Sequence, residues 1–162
     1  MRAAVLTVSD GVARGEREDG SGDALDELLV GEGYEVVRRV VPDDRAEIAG
    51  AIRELARSAR LVLTTGGTGL APRDVTPEAT RSVLDREAPG IAEAMRAETA
   101  RIQPLAWLSR AVAGQRGTTL VVNLPGNPKA VRECLDVLLP LLPHAIKTST
   151  GGGEDTHRAM GS

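Results

Sequence analysis

The residues of this sequence most suited to chemistry form a glycine-rich turn followed by an adjacent cation and carboxylate. Three glycines fall within residues 66–69, and Arg73 and Asp74 follow shortly before Thr76 and Pro77. Residues without a Cβ let the backbone turn sharply and present its N–H groups to a ligand. Thr76 and Pro77 suit the cap and first positions of a helix, and helix N-termini favour anions. The segment therefore predicts a site for an anionic, phosphorylated ligand.

A structural interpretation competes with this one, because the glycines could form only a tight turn and Arg73–Asp74 only a surface ion pair. The glycine pattern alone is weak evidence, since it is neither a Walker loop nor a G-x-G-x-x-G sequence. Packing, however, does not require an Arg-Asp pair at the mouth of a strand. The complete segment therefore favours a ligand site.

The elements around this segment predict an α/β fold, a three-layer, doubly wound and mostly parallel sheet with helices on both faces. Apolar, β-branched runs are typical of buried parallel strands. Strands that alternate with helices are typical of βαβ units. Four strands are predicted, at residues 3–8, 34–41, 61–65 and 118–122.

Capping residues and apolar spacing predict the helices. A long polar loop is expected over residues 9–22, with the first helix starting at Ser21 or Asp23 and ending at Leu29. Asp44 and Glu47 match a capping box. Further helices are predicted at residues 44–57, 77–86, from Pro89-Gly90 through Ile102, and from Pro128 toward Leu139 with Asn127 as cap.

Composition limits the class of protein. The 162 residues fit one domain, predicted over residues 1–150, with a flexible tail at residues 151–162. The net charge is -3 and aromatic residues make up 1% of the chain, which argues against a nucleic-acid-binding surface. Cys134 is the only cysteine and is expected to be a buried structural thiol. Without a signal peptide or an apolar run of membrane-spanning length, a cytoplasmic protein with no membrane partner is expected.

Polar clusters follow each of the four predicted strands. They lie at residues 9–11, 43–44, 66–74 and 123–127. In open α/β sheets, ligands bind beyond the carboxyl ends of the strands. We therefore expect these clusters to meet at one edge of the sheet and to form the site there.

These motifs resemble those of the molybdenum-cofactor biosynthesis proteins of the MoaB/Mog type, which include the molybdopterin adenylyltransferases. The resemblance covers nearly the whole chain. Its most specific element is residues 64–69 running on to residues 73–79. Residues 123–129 form the second match, and residues 108–110 before Gly114 form the third.

The resemblance implies an enzyme that transfers AMP from ATP to the terminal phosphate of molybdopterin, releases pyrophosphate and requires Mg²⁺. It implies that Asp43 and Asp74 are the catalytic carboxylates and the protein ligands of the metal. Asp44 is an alternative to Asp43, but it suits a helix cap, whereas Asp43 directly follows Pro42 and the strand. The residues expected to bind substrate are Ser9, Asp10, Gly66, Gly67, Thr68, Gly69, Arg73, Thr76, Ser109, Arg110, Asn123, Pro125, Gly126 and Asn127.

The resemblance also implies a homotrimer or a hexamer, with other molybdenum-cofactor proteins as potential partners. Two further hypotheses stand beside the enzyme. One is a non-catalytic molybdopterin-binding or scaffold protein, and the other is a generic nucleotide- or phosphosugar-binding domain. Asp43 and Asp74 favour the enzyme, because a carrier gains little from carboxylates beside a phosphate.

Overall fold

One six-stranded sheet organises the chain, and the computed structural model describes residues 1–152 of it. The strand order is β2-β1-β3-β6-β5-β4. β1, β2, β3 and β6 are parallel, whereas β5 pairs antiparallel with both β6 and β4. The strands are β1 (Arg2–Val8), β2 (Glu35–Val41), β3 (Leu61–Thr65), β4 (Arg86–Glu87), β5 (Ala113–Arg116) and β6 (Thr119–Leu124).

The described residues also form seven α-helices and one 3-10 helix, of which α6 and α7 follow the last strand. They are α1 (Asp10–Ala13), α2 (Gly20–Gly31), α3 (Arg45–Leu55), α4 (Thr76–Arg81), α5 (Pro89–Ala100), the 3-10 helix Pro104–Leu108, α6 (Pro128–Leu138) and α7 (Leu142–Ser149). The mostly parallel α/β sheet predicted from sequence is confirmed. The single domain over residues 1–150 stays a prediction, and the predicted tail lies, from residue 153 onward, outside the described residues.

Apolar side chains on both faces of the sheet form two core clusters. Because side chains alternate along a strand, β1 sends Ala3 and Val5 into one cluster and Ala4 and Leu6 into the other. The first cluster packs under α2, α5, α6 and α7, and the second under α3 and α4. Cys134 is buried in the first, as expected, and burial raises the pKa of its thiol to about 11.

The antiparallel edge of the sheet differs from the sequence-based expectation. The helix predicted to end near Arg86 ends at Arg81 instead, and Arg86 belongs to the short strand β4. β5 has no apolar alternation, because it holds Gly114 and two polar residues in four positions. A Cβ at Gly114 would collide with the Arg86 carbonyl, so close strand pairing explains this glycine.

The segment between β1 and α2 also differs from the predicted continuous loop. Ser9 caps the short helix α1, and α2 begins at Gly20 rather than at Ser21 or Asp23. Its cap is Asp19, whose carboxylate accepts a hydrogen bond from the Thr7 hydroxyl at 2.8 Å. Contact with β1 therefore fixes the start of α2.

Two helix starts differ from the caps predicted from sequence. Asp44 caps α3 by accepting from the Glu47 N–H at 2.9 Å, but its own N–H donates to the Pro42 carbonyl, so the box has one half. The expected Thr76 cap is wrong, because Val75 occupies the cap position of α4. The Thr76 hydroxyl donates instead to the Gly66 carbonyl at 2.9 Å.

Asn123 joins three parts of the interior, although it was expected to bind substrate. The residue is fully buried in β6. Its Oδ1 accepts from the Val112 N–H at 3.2 Å, and its Nδ2 donates to the Thr64 and Thr80 hydroxyls at 2.9 and 3.0 Å. The amide thus ties β6 to β3, to α4 and to the segment before β5, which places the Asn123 side chain in the framework of the site.

We predict that Asn123→Ala lowers the free energy of unfolding by about 1–3 kcal/mol, because it leaves buried polar partners unsatisfied. Chemical denaturation measures the change. Thr118→Ala, at an exposed turn, is the control and should shift stability by less than about 0.5 kcal/mol. Equal stabilities for the two variants would contradict a structural role for Asn123.

Candidate active site

The four polar clusters predicted to converge do meet at the carboxyl ends of the parallel strands. They surround a polar cleft of about 350 Å³, whose wall includes Ser9, Asp43, Gly66, Gly67, Asp74 and Gly126. These six residues come from the segments after β1, β2, β3 and β6. Asp43 lines the cleft, whereas Asp44 is occupied as the cap of α3. The structure therefore favours Asp43 over Asp44 as the carboxylate available to a ligand.

The backbone of residues 66–75, here called the glycine-rich loop, starts with two left-handed glycines. Gly66 has φ +100° and Gly67 has φ +69°. A Cβ at Gly66 would collide with the Val8 carbonyl, and a Cβ at Gly67 would collide with the Thr76 hydroxyl and lie 3.3 Å from Asp43 Oδ1. Both positions therefore require glycine for conformation and for space.

The second binding segment, after β6, packs directly on this turn. The Thr65 hydroxyl donates to the Pro125 carbonyl at 2.6 Å, and a Cβ at Gly126 would lie 3.1 Å from the Gly66 Cα. Asn127 caps α6, accepting from the N–H groups of Lys129 and Ala130 at 2.9 and 3.2 Å. Asn127 thus has the predicted cap role, and its side chain is engaged with its own helix.

Asp10, Asp43 and Arg73 form a charged network beside the cleft. Each aspartate carboxylate accepts the other's backbone N–H at 3.0 Å. Arg73 donates to both oxygens of Asp10 at 2.6 and 3.0 Å and to the Asp43 carbonyl at 3.2 Å. Asp10 and Arg73 were expected to contact substrate, but in this structure they hold each other and the Asp43 backbone.

The pKa values of the two carboxyl groups are shifted in opposite directions. The hydrogen bond from Arg73 and the Asp43 N–H hold the pKa of Asp10 below its usual value. Burial, together with the negative charges of Asp10 and Asp74, raises the pKa of Asp43 above its usual value. The ionised form of Asp43 is therefore destabilised, and a cation in the cleft would stabilise it.

Asp74 lines the cleft near the end of the glycine-rich loop. Its Oδ2 accepts from the Ala71 N–H at 3.0 Å, and its own N–H donates to the Ala71 carbonyl at 2.9 Å. A Cβ at Gly69 would lie 2.8 Å from Asp74 Oδ2, so this glycine leaves room for the carboxylate.

A second hollow, of about 290 Å³, lies against the other side of the glycine-rich loop. We call it the apolar hollow, because Met95, Leu105 and Leu108 form much of its wall. It also contains five predicted site residues, which are Thr68, Gly69, Ser109, Asn123 and Pro125. The predicted site is therefore divided between two hollows separated by one loop.

Five predicted site residues line neither hollow. Asp10, Arg73 and Asn127 make the contacts described above, and Thr76 is buried beneath Gly66. Arg110 extends beside the glycine-rich loop, where its Nε donates to the Gly69 carbonyl at 2.8 Å. These side chains support the loops around the site.

Several residues of the cleft wall escaped sequence-based prediction. Arg17, Asp19 and Ser21 line the cleft. They lie in the segment expected to be a long polar loop, and long loops are frequently functional, which was the available signal. These residues reach the cleft because of where α2 begins. The hydrogen bond from Thr7 to Asp19 sets that start, and it joins residues that are not neighbours in the sequence.

Comparison with known proteins assigns the family. Residues 4–144 match the model of the probable molybdopterin binding domain. The chain belongs to this family.

Across the described residues 1–152, no helix is both long and apolar enough to cross a membrane.

Individual relatives agree with this assignment. The chain is 40% identical over 152 residues to a molybdopterin adenylyltransferase of Helicobacter pylori, covering 91% of this chain and 86% of that protein. It is 43% identical over 147 residues to the molybdenum cofactor synthesis protein cinnamon of Drosophila melanogaster, where it covers 88% of this chain but only 24% of that protein. The chain thus spans about a quarter of the fly protein and most of the bacterial one.

A solved structure confirms the fold. The molybdopterin biosynthesis enzyme MoaB from Thermus thermophilus is 53% identical and superposes with a TM-score of 0.87, covering 93% of this chain and 96% of that one. The resemblance noted from the sequence motifs is therefore confirmed for both family and fold.

We predict that Arg73→Gln raises the pKa of both Asp10 and Asp43, because Arg73 lowers each of them in the native protein. Carboxyl ¹³C NMR titration measures both values. Arg81→Gln is the control, because Arg81 pairs with Glu87 at 3.0 Å, outside the network. An unchanged Asp10 pKa in Arg73→Gln would contradict the network.

Proposed function

We propose that this protein is a molybdopterin adenylyltransferase, which uses MgATP to adenylylate molybdopterin and releases pyrophosphate. The observation that carries the proposal is the pair of carboxylates, Asp43 and Asp74, facing one cleft beside a turn of left-handed glycines. Family membership and the adenylyltransferase named among its relatives support it.

The proposed reaction joins two anions. An oxygen of the molybdopterin phosphate attacks the α-phosphorus of ATP, a new P–O bond forms, and the bond to the β-phosphate oxygen breaks as pyrophosphate leaves. Such transfers depend on positioning and charge neutralisation rather than on a strong nucleophile. The cleft offers backbone N–H groups at its glycine turn, and Arg17 in its wall adds a cation that we propose faces the phosphates.

The residues of the cleft fit a magnesium ion shared with phosphates. Asp43 has a raised pKa beside Asp10 and Asp74, as expected where a divalent cation would relieve repulsion. No group of three or more metal-ligating His, Cys, Asp or Glu side chains occurs within residues 1–152. Mg²⁺ prefers one or two carboxylates together with phosphates and waters, so Asp43 and Asp74 would hold it. When bound, the ion would neutralise charge on the phosphates.

The two hollows suggest how the substrates are divided. We propose that the polar cleft takes the reacting phosphates and that the apolar hollow takes a flat heterocycle. Met95, Leu105 and Leu108 supply apolar contact there, and Arg96, Gln103 and Glu133 supply polar groups for its edges. The glycine-rich loop would then lie between the two, within reach of the phosphate that links them.

Assembly and location are part of the same proposal. We propose a homotrimer or a dimer of trimers acting in the cytoplasm, with other molybdenum-cofactor proteins as partners. Leu105, Trp107 and Leu108 of the 3-10 helix are 66%, 60% and 53% exposed, and such apolar patches mark interaction surfaces.

We predict that Asp43→Asn and Asp74→Asn each lower kcat about 100-fold or more, because each removes a preorganised charge beside the reacting phosphates. Asp43→Asn should also keep or raise the melting temperature. Since its pKa is raised, ionised Asp43 opposes folding at neutral pH, and stability falls as pH rises through that pKa. Adenylated pterin and pyrophosphate are the products measured.

Asp44→Asn is the matched control for this prediction. Asn caps helices as well as Asp does, and Asp44 lies outside the cleft, so turnover and stability should remain normal. Normal turnover in both Asp43→Asn and Asp74→Asn would rule out the two-carboxylate mechanism. Molybdopterin binding without turnover in the wild-type protein would favour the carrier hypothesis instead.

A further inference from the structure

Arg110, two residues after the 3-10 helix, contacts the glycine-rich loop at three of its residues, Thr68, Gly69 and Asp74. Its backbone N–H donates to the Thr68 carbonyl and its Nε to the Gly69 carbonyl, both at 2.8 Å. One terminal nitrogen donates to the Asp74 carbonyl at 2.7 Å, and the other donates to the Glu78 carboxylate in α4. One residue therefore connects the turn, the carboxylate position and the following helix.

Other bonds that tie the loop to its surroundings lie at Gly66 and Gly67, which bond to Leu124 and Thr76, and at Arg73, which bonds to Asp10 and to the Asp43 carbonyl. Between β3 and α4 the chain has no regular secondary structure, and its internal backbone bond runs from the Asp74 N–H to the Ala71 carbonyl. The planar guanidinium presents its donors in a fixed fork, which a lysine cannot reproduce. The guanidinium group of Arg110 therefore fixes the distance between the Gly69 and Asp74 carbonyls.

Arg110 is itself held from the other direction. Arg96 in α5 donates to the carbonyls on either side of it, at 3.2 Å to Ser109 and 2.8 Å to Ala111. Ser109 and Ala111 line the apolar hollow, whereas Asp74 lines the polar cleft. The arginine thus joins the wall of one hollow to the carboxylate of the other.

We infer that Arg110 is a positioning residue that fixes Asp74 and the glycine turn, and that it does not bind the substrate phosphate. All three guanidinium nitrogens donate to groups of the protein, and the side chain lines neither hollow. The expected effect on turnover rests on the proposed adenylyltransferase function. The expected effect on the loop does not.

The test compares Arg110→Ala and Arg110→Lys with the wild-type protein. Arg110→Ala should lower kcat on the order of 100-fold, the cost of a small misplacement of a catalytic group, with KM values nearly unchanged. Arg110→Lys should remain close to Arg110→Ala, because lysine cannot bridge Gly69 and Asp74. Added guanidinium ion, at concentrations too low to unfold the protein, should restore part of the kcat of Arg110→Ala.

Arg116→Ala is the matched control, because Arg116 is also part-buried and donates to a backbone carbonyl, that of Val83, at 2.9 Å. Its turnover should be normal. Hydrogen exchange followed by mass spectrometry adds a readout that is independent of activity. Peptides over residues 66–75 should exchange faster in Arg110→Ala and Arg110→Lys than in the wild type, and should be unchanged in Arg116→Ala.

Two outcomes would contradict the inference about Arg110, and a third would contradict only the proposed function. A raised KM with normal kcat, corrected by Arg110→Lys, would make Arg110 a phosphate ligand. Faster exchange throughout the chain, with no rescue by guanidinium, would make it a general stabilising residue. An inactive wild-type protein would defeat the proposed function, while the exchange of residues 66–75 would still decide the role of Arg110.

Discussion

The site depends on one steric constraint, the close packing of the Gly66–Gly67 turn, which follows β3, against the end of β1 and the segment after β6. A Cβ on Gly66 would collide with the Val8 carbonyl of β1, and a Cβ on Gly126, after β6, would lie 3.1 Å from the Gly66 Cα. The turn is further held by bonds from the Gly66 N–H to the Leu124 carbonyl and from the Thr76 hydroxyl to the Gly66 carbonyl. This close packing brings Asp43 and Asp74 to one cleft.

Two arginines beside the cleft are paired with protein groups, whereas the Asp43 carboxylate accepts its hydrogen bond from the backbone N–H of Asp10. Arg73 is committed to Asp10 and Arg110 to the glycine-rich loop and Glu78, so two cations serve to hold structure. Burial, together with the negative charges of Asp10 and Asp74, leaves Asp43 with a raised pKa. The proposed phosphate-bound cation would offset the repulsion between these carboxylates. We regard that as the physical reason why the arrangement suits metal-assisted chemistry on phosphates.

Sequence patterns predicted the structural features that depend only on residues close together in the chain. Buried strands such as Leu61–Thr65 and the Asn127-Pro128 start of α6 follow from apolar runs and caps, and both are confirmed. Thr76 was assigned the wrong role because a tertiary partner, the Gly66 carbonyl, competes for its hydroxyl. β5 carries no alternating pattern, since its glycine is required by contact with β4.

The candidate site shows the same division. Convergence at the strand ends could be predicted, because it follows from the topology of parallel sheets. The partners of its cations could not, since Arg73 and Asp10 are 63 positions apart and Arg110 and Gly69 are 41 apart. Only folding shows which charged side chains face a ligand and which hold the loops.

The most direct test of this account is the reaction itself, with the full chain incubated with molybdopterin, Mg²⁺ and ATP labelled at its α-phosphate. Labelled adenylylated pterin and unlabelled pyrophosphate are expected in equal amounts, and neither product is expected when a chelator removes the metal. Molybdopterin bound without transfer of label, or ADP and phosphate in place of pyrophosphate, would contradict this account.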